Sequence, residues 1–374
     1  GEKVASLAEE FGISRKTAYK IIDRYEETGL QGLTDRSRRP YRHANQLPFQ
    51  IETLIVRLKQ EKPTWGAPKI AELLARRYPD ARRPAISTIH AVLDRRGLVK
   101  HRKGRKNKAC GTVLRESHAP NDLWCADYKG EFMLADRRYC YPLTITDHAS
   151  RYLFAVEALE STKEINAFTV FERVFKENGL PCAIRTDNGV PFASPNALFN
   201  LSKLSVWWLR LGIGIERIKP GNPQQNGRHE RMHLTLKNET TKPAGQNFLQ
   251  QQARFDDFIA EFNTERPHQA LGQKPPAAFY APSKRAYEGL PELDYPLHDR
   301  SVIVTNCGRI CIKTRKINLS QVFAGQRVGI KQVDDRLWLV SFMDYDLGYF
   351  DDTECRLEPI DNPFGAKLLP MSPE

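Results

Sequence analysis

Gly221-Asn222-Pro223-Gln224-Gln225-Asn226-Gly227-Arg228-His229-Glu230 is a turn rich in Gly, Pro and Asn that runs into a helix, with one carboxylate near the helix start. Two apolar runs upstream each deliver one more carboxylate. Leu123-Trp124-Cys125-Ala126-Asp127-Tyr128-Lys129-Gly130 has the pattern of a strand with Asp127 inside it. Ala183-Ile184-Arg185-Thr186-Asp187-Asn188-Gly189 has that of a short strand ending at Asp187. Carboxylates brought within a few Å of one another repel, so a cation must neutralise them or one must take up a proton. Mg²⁺ is hard, prefers oxygen ligands and keeps positions open for water and phosphate. Two such ions roughly 3.5–4 Å apart activate an attacking oxygen and stabilise a leaving one. The expected site is therefore Asp127, Asp187 and Glu230 around two Mg²⁺ ions, with Mn²⁺ as a substitute.

The segments around these acids set the order of a fold. After the strand holding Asp127, Tyr139 to Thr146 makes a second strand, Asp147-His148-Ala149-Ser150 a turn, and Arg151 to Ala158 a third strand. Ser161 or Thr162 is expected to cap a helix running to Asn178, with Ala167, Phe168, Phe171, Val174 and Phe175 inward. Gly179-Leu180-Pro181 ends it, and the fourth strand delivers Asp187. Three strands, a helix, a strand and further helices is the order of an RNase H-like fold. Asp147 precedes a turn, where Asp commonly bonds its own backbone, and it is left out of the site.

Charge is placed unevenly. Residues 1–118 carry 26 Lys+Arg against 13 Asp+Glu, net +13; the remainder carries 31 against 32, net −1, giving the overall +12. That is the footprint of a nucleic-acid-binding arm on a nearly neutral body. Within the arm, Val4 to Glu10 is a short helix and Phe11-Gly12-Ile13 a tight turn. Ser14 caps a second helix, Arg15 to about Thr28, with Ala18, Ile21, Ile22 and Tyr25 as its buried face. A helix, a turn and a helix with a polar leading edge form a helix-turn-helix pattern. Ser14, Arg15, Lys16, Thr17 and Lys20 are its expected DNA contacts. Arg36, Arg38, Arg39 and Arg42 follow on a basic linker that suits phosphates or a minor groove. A second unit is expected from helices over 50–60 and Lys69 to Arg77, and from Ser87 capping Thr88 to Arg96, so that Ser87 and Thr88 lead a second recognition helix. Lys100 to Lys108 then holds six cations and no acid, a phosphate-binding strap contributing Lys100, Arg102, Lys103, Arg105 and Lys106.

After Pro296 come short alternating segments separated by Gly, Asp and Asn turns: Val302 to Val304, Ile310 to Ile312, Arg327 to Ile330, Leu337 to Phe342 and Leu347 to Phe350. Five short strands fit a small β-barrel. The seven cysteines form no CxxC framework, which points to free thiols in a reducing cytosol. No apolar run is long enough to span a membrane. The chain starts at Gly1 without Met, and a missing upstream segment is expected.

Trp-Cys-Ala-Asp127-Tyr-Lys-Gly, Arg-Thr-Asp187-Asn-Gly and Asn-Pro-Gln-Gln-Asn-Gly-Arg-His-Glu230 resemble the DDE triad of the retroviral integrase superfamily. Phe262-Asn263-Thr264-Glu265-Arg266-Pro267-His268-Gln269-Ala270-Leu271 is similar to the segment that follows this core in bacterial insertion-sequence transposases. The resemblance implies a polynucleotidyl transferase that binds the terminal inverted repeats of a mobile element, cuts 3′ ends and joins them to target DNA. It implies a homo-oligomer on double-stranded DNA in a bacterial cytoplasm, nucleoid-associated when bound. It also implies a helix face, Asn226, Arg228 and Lys237 around Glu230, that contacts the DNA end. Two departures stand out. Residues 188–229, 42 in number, separate Asp187 from Glu230, more than is usual in integrases, with an aromatic insert around Val206-Trp207-Trp208-Leu209. A His/Cys zinc module is also missing from the start of the chain.

The expected architecture is multidomain α+β. Residues 1–48 are a helix-turn-helix domain, 49–118 a second helical DNA-binding domain with its strap, 119–292 an RNase H-like catalytic core and 296–362 a small β-barrel. Rival readings are an RNase H-like nuclease without strand transfer and a non-catalytic DNA-binding regulator. A third is a zinc protease, because His229-Glu230-Arg231-Met232-His233 satisfies HExxH.

Overall fold

A computed structural model describes residues 2–34, 47–101, 114, 117–219, 223–312, 315–351 and 356–364. It divides into two compact units, Gly1–Thr53 and Leu54–Glu374. In the first, α1 (Val4–Glu10) turns through Gly12 into α2 (Arg15–Thr28). The Ser14 hydroxyl accepts from the Thr17 backbone N–H at 3.2 Å, the expected cap. The buried face is narrower than its periodicity predicts. Ala18 is buried, but Ile21 and Tyr25 are 39% and 51% exposed. Two helices and a 3-10 turn enclose too little volume to cover both sides of α2. Ser14, Arg15, Lys16, Thr17 and Lys20 are all exposed.

α3 (Phe49–Glu61), α4 (Ala67–Arg77) and α5 (Ile86–Arg95) follow. Pro68 in the first turn of α4 uses a position where an N–H has no helical partner. The expected cap of α5 is corrected: Ala85 is the N-cap, makes no side-chain bond, and Ser87 lies inside the first turn. Ser87 is exposed, Thr88 half-buried and Lys100 exposed. Helices α4 and α5 belong to the larger unit. Lys62 pairs with Glu261 at 2.7 Å, and Arg76 donates to the Glu265 carbonyl at 3.1 Å. Arg36, Arg38, Arg39, Arg42, Arg102, Lys103, Arg105 and Lys106 lie outside the described residues.

The RNase H-like core is a mixed sheet. Its strands are β1 (Trp124–Tyr128), β2 (Phe132–Met133), β3 (Tyr139–Asp147), β4 (Leu153–Leu159), β5 (Ala183–Thr186) and β6 (Gly214–Arg217), in the order β2-β3-β1-β5-β6 with β4 on β3. β1 runs antiparallel to β3 and parallel to β5. Between β4 and β5 lies α6 (Glu164–Asn178), and between β5 and β6 lies α7 (Lys203–Arg210). The N-cap of α6 is Lys163 rather than Ser161 or Thr162. Ser161 instead accepts from the Asn166 side chain.

One face of the sheet buries Phe171, Phe175 and Trp208 with Trp124 and Ile184. Fully burying one such aromatic stabilises the fold by about 2–3 kcal/mol. On the other face α8 (Gly227–Thr240) and α9 (Phe248–Thr264) bury Met232, Leu236, Phe255 and Phe262 against Leu153 and Val156.

Among the described residues seven C-terminal strands follow. They are β7 (Arg300–Ile303), β8 (Arg309–Ile312), β9 (Arg315–Asn318), β10 (Arg327–Gln332), β11 (Leu337–Phe342), β12 (Tyr345–Asp351) and β13 (Leu357–Pro359). Five form an antiparallel sheet, β13-β12-β11-β10-β7, and β8–β9 is a separate hairpin. Among the described residues this pairing does not close into the expected barrel. Val328, Ile330, Val340 and Phe342 share one cluster with Leu201, Val206 and Leu209 of the core. The aromatic insert between Asp187 and Glu230 is therefore a shelf for the C-terminal sheet. Among the described residues no helix is long and apolar enough to cross a membrane.

Candidate active site

Adjacent parallel strands bring the first two acids together. In the β1–β5 register Cys125 lies beside Arg185; carried two residues further, past the end of β5, the same direction brings Asp127 toward Asp187, whose charge it feels. Both side chains then emerge on one face at the carboxyl ends of the strands. Asp187 sits just past β5, and its Oδ1 accepts the Gly189 N–H at 3.1 Å. Glu230 stands exposed in the first turn of α8, where the helix dipole favours a negative charge.

Burial first, then the charges of Asp187 and Glu230, push the Asp127 carboxyl up to about 7. The three acids thus form one electrostatic cluster. A hard divalent cation relieves such repulsion while using the oxygens as ligands. The donor set fits that ion.

A second constellation was not legible in advance. Thr144, opposite Asp127 on β3, donates to the Asp127 carbonyl at 3.0 Å. Its hydroxyl oxygen also lies 2.7 Å from Nε2 of His229 and of His233. A hydroxyl has one proton, so both rings must donate through Nε2. That leaves His229 Nδ1 to accept from Thr146 at 3.0 Å. Burial holds both imidazoles well below their ordinary pKa. His233 Nδ1 lies 3.9 Å from Asp127 Oδ2, and Asp127, His229 and His233 place one potential ligand atom each within 4.8 Å of one another. The Nε2 atoms are already committed to Thr144, so the HExxH pair braces the strand bearing Asp127.

Arg185, 4% exposed, fixes the loop ends. Its guanidinium meets Glu216 of β6 at 2.8 Å and the Gln225 carbonyl at 3.4 Å. The Gln225 side chain accepts the Lys219 N–H at 2.7 Å. One cation therefore ties together the end of β5, β6 and the turn that opens α8.

Asn226, Arg228 and Lys237 do not share one environment. Asn226 is 4% exposed, and its Oδ1 has no hydrogen-bond partner among the described residues. Arg228 turns to the His148 carbonyl at 3.3 Å, away from Glu230. Lys237 is exposed and close enough to Lys129 to depress its pKa, behind burial as the first cause. Lys129, two residues past Asp127, is a cation beside the cluster that the sequence pattern did not single out. Asp147 is spent on structure, accepting from the Asn121 and Ser150 N–H groups at 2.8 and 2.7 Å.

Comparison with protein families places an integrase core over the same segments. The Integrase core domain profile matches residues 117–223, and a second profile of the same description matches 211–276. The chain carries an integrase core domain, the kind found in DDE polynucleotidyl transferases. A homeodomain-like domain matches residues 17–93 of this integrase-core protein. The Insertion element IS476 uncharacterized 39.2 kDa protein of Xanthomonas euvesicatoria is 25% identical over 75% of this chain and 79% of its own length. The Insertion element IS407 uncharacterized 31.7 kDa protein of Burkholderia multivorans is 24% identical over 59% and 83%. These similarities identify an integrase-core transposase of the insertion-element kind. The HTLV-2 integrase catalytic core domain, solved in complex with magnesium, is similar at 17% identity and a TM-score of 0.34, over 43% of this chain and 97% of that one.

Gly189 gives the site a steric test. A Cβ there would stand 3.0 Å from Asp187 Oδ2. Gly189→Ala should displace the carboxylate and weaken divalent-ion affinity about tenfold, a loss of about 1.4 kcal/mol, with little change in melting temperature. Calorimetric titration with Mg²⁺ checks this; unchanged affinity would mean that Asp187 does not bind the ion.

Proposed function

We propose that the integrase core cuts 3′ ends at the termini of a mobile element and joins them to target DNA. The observation that carries this reading is the convergence of Asp127, Asp187 and Glu230 from two parallel strand ends and a helix start. These three would hold two Mg²⁺ ions, or Mn²⁺, which supply charge stabilisation for the attacking and leaving oxygens of an in-line displacement. Water attacks the terminal phosphodiester first, and the freed 3′-OH then attacks a target phosphodiester. Thr144, His229 and His233 hold the Asp127 strand, while Arg185 holds the other two ligands in register. Lys237 and Lys129 offer positive charge to the end of the strand beside Glu230. Work on two DNA partners suits a homo-oligomer in a bacterial cytoplasm, with the C-terminal sheet serving DNA or a neighbouring subunit.

Incubating the protein with its own element ends, a target duplex and Mg²⁺, then sequencing the products, tests the reading. Joined junctions support it. Nicked ends without junctions would replace it with a nuclease. For the zinc-protease reading, His233→Ala would have to impair activity more than Asp127→Asn does.

The exposed leading turns of α2 are the proposed end-reading surface. In the intact chain, replacing Arg15, Lys16 and Lys20 with Ala should lower the slope of log affinity against log salt by about 0.9 per lost phosphate contact. The preference for element ends over random duplex should fall with it. Retained preference would move recognition elsewhere.

A further inference from the structure

Behind the carboxylate cluster lies a cavity of about 680 Å³, inside the range of about 300–1,000 Å³ common for ligand sites. Its walls are the start of α8, the turn between β3 and β4, the segment after α9, and Lys69 of α4. On α8 the lining residues Arg228, Arg231, Met232 and Thr235 fall at helical spacing on the face opposite Glu230 and Lys237. The cavity is therefore separate from the metal-binding face, though the same two turns of helix form both.

Its charge is lopsided. Lys69, Arg151, Arg228, Arg231 and Arg266 line it, and among the described residues Asp147 is the single lining acid. Asp147 is already committed to Asn121 and Ser150. Arg266 is neutralised by Glu239, with contacts at 2.9 and 3.0 Å. Four cations remain. Two wall atoms, Arg151 Nε and His268 Nε2, are buried with no hydrogen-bond partner among the described residues. The cations also oppose one another. Burial and then Arg228 lower Arg151 to about 10, and burial and then Arg266 lower Lys69 to about 8, with Glu239 and Glu261 partly offsetting. A Cβ on Gly227, at the mouth, would meet nothing within 4 Å, so this backbone is open to an incoming group.

The orphaned Arg151 donor, among neighbouring cations in a concave, partly apolar site, suits a tetrahedral oxyanion, which Arg binds through two parallel N–H groups. We propose that this cavity is a phosphate-binding site distinct from the carboxylate cluster, and that it holds one phosphodiester of a DNA strand passing over the start of α8. The choice of DNA as the source rests on the proposed function; the preference for phosphate does not.

Arginine-directed labelling with phenylglyoxal, read peptide by peptide on the full chain, tests both parts. Labelling is compared without anion, with inorganic phosphate and with a short duplex, at matched ionic strength. Arg151 and Arg231 should lose labelling several-fold in both the phosphate and duplex arms, whereas Arg15 should be protected by duplex alone. The double variant Arg151→Gln/Arg231→Gln, checked for an unchanged circular dichroism spectrum, should lose the phosphate-dependent rise in melting temperature. Its salt slope for duplex binding should fall by about 1. Protection by phosphate, with duplex protecting Arg15 but neither cavity arginine, would keep the anion site and overturn DNA as its source. No protection by either anion, with Arg15 protected by duplex, would overturn the proposal. An unprotected Arg15 would count against the proposed function, and the phosphate arm would still decide the site.

Discussion

Asp127→Asn, Asp187→Asn and Glu230→Gln should each reduce cleavage and joining by about 10³-fold or more while leaving duplex binding by the full chain nearly unchanged. Under the proposed function each change removes one metal-ligating charge, and it alters almost no volume. A metal centre supplies several kcal/mol of transition-state stabilisation, and each 1.36 kcal/mol is a factor of ten in rate. Stability should move the other way when no divalent ion is present. The Asp127 carboxyl is raised from 3.8 to about 7, chiefly by burial and by Asp187. The folded chain therefore prefers the protonated form. Ionisation costs stability progressively as pH rises from about 4 to about 7, and the full cost persists above that. Asp127→Asn removes the cost, so in chelator it should melt above the wild type at pH 8, with the gap closing toward pH 4. Mg²⁺ should narrow or reverse the gap at pH 8. Retained strand transfer in any of the three variants would remove that residue from the centre.

Arg185→Met should lower the melting temperature by on the order of 10 °C and abolish cleavage. The arginine is 4% exposed and is paired with Glu216 at 2.8 Å. Removing one partner of a buried pair costs about 3–5 kcal/mol because the other charge is left uncompensated. In a core of this size each kcal/mol is worth about 2–4 °C. Adding Glu216→Leu should recover most of the stability, since an apolar pair of similar volume is often neutral. It should recover little activity, because the Gln225 carbonyl still lacks its donor and the turn before α8 is no longer tied to β5. Differential scanning calorimetry and an end-cleavage assay separate the two outcomes. A single variant that melts like the wild type would show that the bridge does not hold these elements.

What was legible in the sequence followed from local pattern. Asp127 and Asp187 could be placed because apolar runs with turn signals mark strands and their ends. α1, α2 and α6 could be placed because their apolar residues recur at helical spacing. β6 could not. Gly214–Arg217 is four half-buried residues, two of them charged, and it becomes a strand only because β5 offers it a parallel edge. The cap of α5 was misplaced by a residue type: Ser87 is a good cap for a helix from Thr88, yet the helix starts two residues earlier, at Ile86, after Ala85. The burial of Asn226 was hidden for another reason. Helical spacing puts it on the Glu230 face, but its position at the junction with the preceding turn takes it inside. Thr144 with its two histidines, and Arg185 with Glu216, depend on strand register between distant segments, which no local window contains. The metal-protease pattern HExxH illustrates the limit. Its spacing is present, and the β3 hydroxyl group decides what the rings do.

The shelf formed by α7 bears on how such proteins diverge. Because Leu201, Val206 and Leu209 share a desolvated seam with Val328, Val340 and Phe342, the long interval between the second and third acids and the C-terminal sheet are coupled traits. Deleting the sheet would expose that seam to water and invite aggregation. Shortening the interval would leave the sheet without a floor. Domain exchange at Pro296, whether by recombination or by engineering, should therefore succeed only when the α7 segment travels with the tail.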